Sequence, residues 1–517
     1  MRHSIQRGLA AAAVLTAALT AAPSFAQTAP VGPVRRLSVD DAVRLALEQN
    51  LGIQIDRLTP QIEDIAVAQA RTFWVPNATV GLTNASQDTP ATSVLSGGQS
   101  KIADSRFTSS LGVNQILRTG ANYSVDWSSY RATSTNVFTS YNPLLNSNLV
   151  LSLTQPLLRN RTVDSYRQQL ESTRKDRSAA DVQLNATIQA TTRNVKNAYW
   201  ELAYQIDNLK AQQQSLDLAK RLLADNEKRV QIGTMAPIDI VEAQSEVARN
   251  EESVIVAEAG IKQAEDRLRA LVFNPATTDF WTQTIEPTET MPFVPLAVDA
   301  EVAVRRALAR RTDVQLAKND LEKSDITIRY YKNQTLPDVN ARATFQSSAA
   351  GGTQLTPLTS ILGTDTPRSI LSQHGFGAVL GDVLTSAYPA WTIGVTVSYP
   401  IGTSTSETSL ARAQLQKTQS EVRLQNTELM IATQVRDAAR QVQTNQKRVD
   451  SARAARELAE RRLDAEQKKF AAGIQISFFV FQAQRDLSQA RTNEIRAIAD
   501  YNKSRVDFEA VQETPLR

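Results

Sequence analysis

Residues 195–233 read VKNAYWELAYQIDNLKAQQQSLDLAKRLLADNEKRVQIG. Apolar side chains stand at Val195, Leu202, Leu209, Leu216, Leu223 and Val230, a spacing of seven without a slip. Such a repeat predicts one long helix lying along a neighbour in coiled-coil fashion, under-wound toward about 3.5 residues per turn. Residues three further on are often small or polar (Ala198, Gln205, Gln212, Ala219), so the apolar seam is narrow. The helix is expected to stop at Gly233, and a shorter one to start near Pro237, a favoured first-turn residue.

The same pattern returns later in the chain. Lys228–Gly233 (KRVQIG) matches Lys468–Gly473 (KKFAAG), and Ala243-Gln244 matches Ala483-Gln484, both 240 residues on. The heptad maps onto Val435, Val442, Val449, Leu463 and Phe470, with Arg456 as its one break. Upstream, Ala46-Leu47 corresponds to Ala307-Leu308 and Pro76 to Pro337, at a separation of 261. The chain therefore reads as two copies of one unit, 37–273 and 296–513, joined by a strap at 274–295 and closed by a short tail at 514–517. Copy two has 21 fewer residues, net, between its counterpart of Pro76 and the end of its long helix.

Each copy is expected to hold one long and two shorter helices. In copy one these are about 162–231, with 38–73 and 237–272. In copy two they are about 405–471, with 298–336 and 476–512. Seventy helical residues reach about 105 Å. Two shorter helices stacked end to end match that height, so each copy builds two tall columns, a wall rather than a globule.

Between helices the period changes to two. Ala78, Val80 and Leu82 alternate with polar residues or glycine, as do Tyr123, Val125 and Trp127, and Leu149, Leu151 and Leu153. In copy two, Val339, Ala341, Ala343 and Phe345 alternate in the same way, and so do Ile393, Val395, Val397 and Tyr399. These read as strands over about 77–157 and 337–400, with one apolar face and one carrying mainly Ser, Thr, Asn and Gly. Lipid outside and water inside would produce that pattern. Two strands per copy are clear, and a further hairpin is open around Leu111–Tyr130, with Thr119-Gly120 at its turn. Residues 88–105, 133–147 and 351–387 read as loops. So few strands cannot close a barrel alone, and an open edge is not tolerated in lipid. Several subunits would have to share one barrel. Three chains of four strands give about twelve, above twelve helical columns.

Composition limits the alternatives. The 517 residues carry 57 basic and 53 acidic side chains, interleaved, which argues against a nucleic-acid partner. Cysteine is absent, and the only histidines are His3 and His374, so neither a thiolate nor a multi-histidine metal site is expected. No nucleophile–base motif or phosphate loop appears, so the chain reads as neither an enzyme nor a cofactor carrier. Arg2, His3 and Arg7 precede a short apolar run and then Ser24-Phe25-Ala26, which reads as a secretory signal cleaved between Ala26 and Gln27, leaving 27–36 as a lead. A secreted or periplasmic coiled-coil structural protein is the alternative; it accounts for the heptads but not for the nested strands.

The duplicated unit and the two motifs Lys228–Gln244 (KRVQIGTMAPIDIVEAQ) and Lys468–Gln484 (KKFAAGIQISFFVFQAQ) resemble the TolC-type outer-membrane efflux proteins. Gln155–Asn160 (QPLLRN) and Tyr399–Gly402 (YPIG), where strands would end, are also similar to that family. The resemblance covers Leu37 to about Gln512. It implies an α+β membrane protein and a homotrimer, with a shared transmembrane β-barrel in outer-membrane lipid above a periplasmic α-helical barrel. It further implies a passive channel of a tripartite efflux or type I secretion assembly. The channel would be coupled through a periplasmic adaptor to an inner-membrane pump or ABC transporter. Gly233, Thr234, Gly473 and Ile474 would form the periplasmic tip that meets the adaptor. Related channels narrow the pore there with acidic side chains of copy two, but the matching positions here hold Phe479 and Gln482. Asp239 and Glu242 of copy one, with Phe478, Phe479 and Gln482 of copy two, are thus the candidate constriction. The acids are expected to hold the tip closed by pairing with basic neighbours.

Overall fold

The computed structural model describes residues 34–92, 100–276, 280–357 and 368–513. The signal segment with Ala26 and Gln27, most of the lead and the C-terminal tail lie outside these residues. The long helices are α3 (Ser165–Gln231) and α8 (Thr405–Ala471), of 67 residues each, about 100 Å. Asp164 caps α3 by accepting from the Arg167 N–H at 2.7 Å, and Ser404 with Glu407 forms a reciprocal capping box on α8.

The helix expected over 38–73 is two helices, α1 (Val39–Gln49) and α2 (Leu51–Arg71), and copy two repeats the break as α5 (Ala300–Arg310) and α6 (Thr312–Gln334). The breaks fall at Asn50 and Arg311, 261 residues apart. The cause is the stacking itself. α4 (Ile238–Val272) ends beneath α2, and α9 (Ser477–Val511) ends beneath α6. Each upper helix needs a new N-terminus at that joint. Asn50 caps the Ile53 N–H at 3.2 Å and donates from Nδ2 to the Leu271 carbonyl at 2.9 Å. The Thr312 N–H donates to the Glu513 carboxylate at 2.9 Å.

Four columns result, in the lateral order α2/α4, α3, α6/α9, α8, each packed on the next. Two equivalent clusters fill their upper parts. One holds Val195, Tyr199, Leu202 and Leu268; the other holds Ile431, Val435, Val442, Val449 and Tyr501. A third, with Leu222, Leu463, Phe470 and Phe481, fills the far end. The copy-two heptad is buried at all five apolar positions. In copy one only Val195 and Leu202 are. Leu209, Leu216, Leu223 and Val230 are half-buried, and the buried positions there are Ala211, Ala219, Leu222 and Asn226. α3 is gripped on two sides, by α4 and by the second-copy column, so small residues between those contacts are covered and the leucine row lies at the margin.

The strap is extended and pinned. β6 (Thr284–Pro287) pairs in parallel with β1 (Val34–Leu37). The Ile285 N–H donates to Glu265 at 2.6 Å, and the buried Tyr501 hydroxyl donates to the Val294 carbonyl at 2.6 Å. Phe280 and Phe293 anchor the strap, while Trp281 between them is exposed.

Candidate functional site

Six long strands form one antiparallel sheet: β2 (Asn77–Pro90), β3 (Lys101–Ile116), β4 (Asn122–Ser134), β5 (Tyr141–Pro156), β7 (Asp338–Leu355) and β9 (Pro389–Ser398). A short strand, β8 (Ile370–His374), adds to the outer end of β7. Copy one thus contributes four strands rather than two. The hairpin left open in the sequence is β3–β4, with the Leu117 N–H donating to the Ala121 carbonyl at 2.7 Å across its turn. The segments read as loops over 88–105, 133–147 and 351–387 are partly strand, because the ladders run on past the apolar zone. There Ser, Thr and Asn occupy both faces and hide the alternation. The last of these segments also holds α7 (Phe376–Leu384), which buries Val379 and Val383 against Ala349.

The register places the apolar side chains on one face. Val80 stands opposite Leu111, Leu111 opposite Trp127, Val125 opposite Leu151, Leu151 opposite Phe345, and Phe345 opposite Trp391. Gly81, Ser110, Ser128, Asn148, Thr344 and Thr392 occupy the other face. The apolar face is solvent-exposed in the single chain: Val80 is 74% accessible, Trp391 72% and Ile393 75%. No helix among the described residues is long and apolar enough to cross a membrane. Among the described residues, the sheet is the part with a continuous apolar band.

Sheet and helices share one lateral order. α2 leads into β2 on one flank, and β9 leads into α8 on the other. Among the described residues both flanks are unpartnered, at the level of the strands and of the helices. On α2, Ile55, Leu58, Ile62 and Ile65 are exposed at coiled-coil spacing; on α8, Leu415, Val422 and Leu429 are exposed seven apart. Counting from the sheet, Ile65 and Leu415 lie at similar depth, as do Leu58 and Val422.

At the far end the two helical hairpins close in the same way. Gly233 has φ +77° and Gly473 +72°. The N–H groups of Thr234 and Ile474 reach back to the carbonyls of Arg229 and Lys469, at 2.9 and 3.0 Å, which completes a left-handed cap on each long helix. Gly233, Thr234, Gly473 and Ile474 are all exposed. Near this end, polar and cation–π contacts tie the copies together. Ser477 Oγ donates to Asp239 at 3.2 Å, Arg229 lies 4.4 Å over the Phe470 ring, and Arg485 pairs with the buried Glu246 at 2.8 Å. Neither Asp239 nor Glu242 is in an ion pair among the described residues, so the expected basic partners are not found within one chain. Phe478 and Phe479 are exposed and meet edge to face at 5.6 Å, Gln482 is exposed, and Phe481 is buried in the tip core. The cross-copy links were not visible in the sequence, where Arg229, Glu246 and Arg485 look like ordinary surface charges.

A model described as outer membrane efflux protein matches residues 43–272 and 303–511, the two copies in turn. The chain belongs to the outer membrane efflux protein family. Its members are outer-membrane channels of tripartite efflux systems that extend into the periplasm, and the alternative of a coiled-coil structural protein is set aside. Solved structures share the fold. VceC of Vibrio cholerae is 15% identical, with 93% of this chain and 97% of that one covered and a TM-score of 0.62. The open-state MtrE channel of Neisseria gonorrhoeae is also 15% identical, covering 92% and 88%, with a TM-score of 0.62. The CmeC channel of Campylobacter jejuni gives 15%, 92% and 85%, with a TM-score of 0.62. No curated protein sequence matches the chain significantly.

Proposed function

We propose that three copies of this efflux-family chain join side by side into a ring, a passive conduit from the periplasm to the exterior. The matched flanks carry this reading. β2 and β9 run in opposite directions, so β9 of one copy meets β2 of the next as an antiparallel pair and the ring leaves no open edge. Below the strands, the Leu415–Val422–Leu429 stripe of one copy meets the Ile55–Ile65 stripe of the next at the same height. A head-to-tail contact of this kind either closes a ring or grows a filament, and a lipid-embedded sheet must close. The apolar face then meets lipid and the polar face lines the pore.

The tip presents Ile232, Ile238, Ile474 and Ile476 exposed around Gly233 and Gly473. We assign this rim, with Thr234, as the surface that docks a periplasmic adaptor, and through it an inner-membrane pump or type I ABC transporter. The conduit would carry small molecules or polypeptides, with energy and selection supplied by the pump.

The test uses the absence of cysteine. Leu58→Cys with Val422→Cys in one chain should give disulfide-linked species up to a trimer on non-reducing gels, and either single variant should stay monomeric. A double variant that forms no linked trimer at native expression would overturn the ring.

A further inference from the structure

We infer that the membrane barrel of this channel has eighteen strands and a bore matched to the helical cylinder below it. The inference rests on the three-copy ring. Its source is the difference between the two copies. β7 and β9 follow and precede helices as β2 and β5 do, and they pair directly with each other over ten residue pairs, Asp338↔Ser398 to Ser347↔Pro389. β2 and β5 do not pair. β3 and β4 stand between them, at 16 and 13 residues, and are hydrogen-bonded on both sides. They are built as wall: Leu111, Val113, Val125 and Trp127 continue the apolar face, while Ser110, Gly112, Asp126 and Ser128 continue the polar one. Neither strand folds back as a plug.

Widths support the same conclusion. Six strands about 4.8 Å apart, tilted about 40°, occupy about 38 Å of circumference per chain. Four helical columns at 9–10 Å spacing occupy about 38 Å as well. Four strands would cover only about 25 Å on the same geometry and would force the sheet to taper from the helices. With β3 and β4 in the wall, strands and helices are commensurate. Barrels of about 16–18 strands leave an aqueous channel. The membrane section then imposes no size filter of its own.

Single-particle imaging of the full-length protein in lipid nanodiscs tests this directly. Three copies with eighteen strands are expected. Three copies with twelve strands, β3–β4 lying outside the wall, would overturn the inference and leave the ring intact; any other copy number would overturn the ring. Thiol labelling in intact membranes gives an independent readout. Ser110→Cys and Ser128→Cys should react with a water-soluble maleimide, whereas Leu111→Cys and Val125→Cys should react at least tenfold more slowly. Equal labelling of all four would place the hairpin in water and overturn it.

Discussion

At the tip, the acidic and the aromatic candidates for the proposed constriction can be separated by chemistry. α9 lies between α3 and α8, so side chains exposed on it face the lumen or the outside rather than an adjacent chain. Phe478 and Phe479 are the large apolar groups there, and a ring of phenylalanines closes by excluding water rather than by binding cations. Phe478→Ser with Phe479→Ser should raise single-channel conductance several-fold in planar bilayers. Asp239→Ala, which removes only a Ser477 hydroxyl contact, should change it little; the reverse ranking would return the gate to the acids. Higher in the wall, Glu201 on α3 lies against Lys503 and Arg496 of α9. Burial pushes its carboxyl up, but the Lys503 hydrogen bond and charge, with Gln205 and Arg496, outweigh burial and bring it below its ordinary 4.5. A carboxyl held lower in the folded than in the unfolded state stabilises fully above its ordinary value, and that stabilisation is lost as pH falls through the lowered one. Acidification below pH 4.5 should therefore lower the melting temperature of the wild type more than that of Glu201→Gln, read by thermal denaturation of the detergent-solubilised protein. Equal slopes would show that this link between copies adds no stability. Neither site was complete in the sequence. Gly233 and Gly473 announced the turns because only a residue without Cβ adopts their backbone cheaply. What faces what across the copies depends on the lateral order of the helices, which no local pattern encodes.

Among elements, the strands and long helices were legible and their edges were not. α3 and α8 ended where the heptads stopped, because the period and the glycine caps act locally. The breaks at Asn50 and Arg311 have no local signature, because the helical pattern continues through them; they exist where another helix abuts from below. The hairpin β3–β4 remained open since Ser, Thr and Gly carry much of it, and its outer half has no apolar alternation to read. The sheet face gives a sharp prediction. Ile393 and Val395 belong to the lipid-side band, while Thr396 faces the other way on the same strand. A lysine in the middle of the lipid face costs about 2–4 kcal/mol, falling toward zero near the interfaces. Ile393→Lys should reduce the heat-resistant, outer-membrane-inserted fraction, and Thr396→Lys should leave it near wild type. Loss of insertion in both would mean that the two faces have been assigned to the wrong solvents.

For the whole molecule, the wall works only if its columns end level, and the chain is built to keep them so. The 67-residue α3 and α8 are equal in length, as are the 35-residue α4 and α9 that return from the tip. The tip rim is thus made jointly by two hairpins whose heights are set 100 Å away at the sheet. This predicts a register effect rather than a local one. Removing Gln212–Leu218 from α3 with Glu251–Ala257 from α4 deletes one heptad from each arm of the copy-one hairpin. The seam keeps its phase, since seven residues are two turns at 3.5 per turn, but that hairpin ends about 10 Å short of its neighbour. Membrane insertion and the ring should survive, while co-purification of the cognate periplasmic adaptor from detergent extracts should drop at least tenfold. Taking the equivalent residues Ala452–Leu458 and Arg491–Ala497 from α8 and α9 as well restores a level rim on a shorter cylinder. Adaptor binding in detergent, where no periplasm has to be spanned, should then return. Binding by the uneven variant as strong as wild type would show that the adaptor grips the side of the cylinder and not its rim. Failure of the level variant to recover would show that absolute height, or the deleted surface itself, sets the contact.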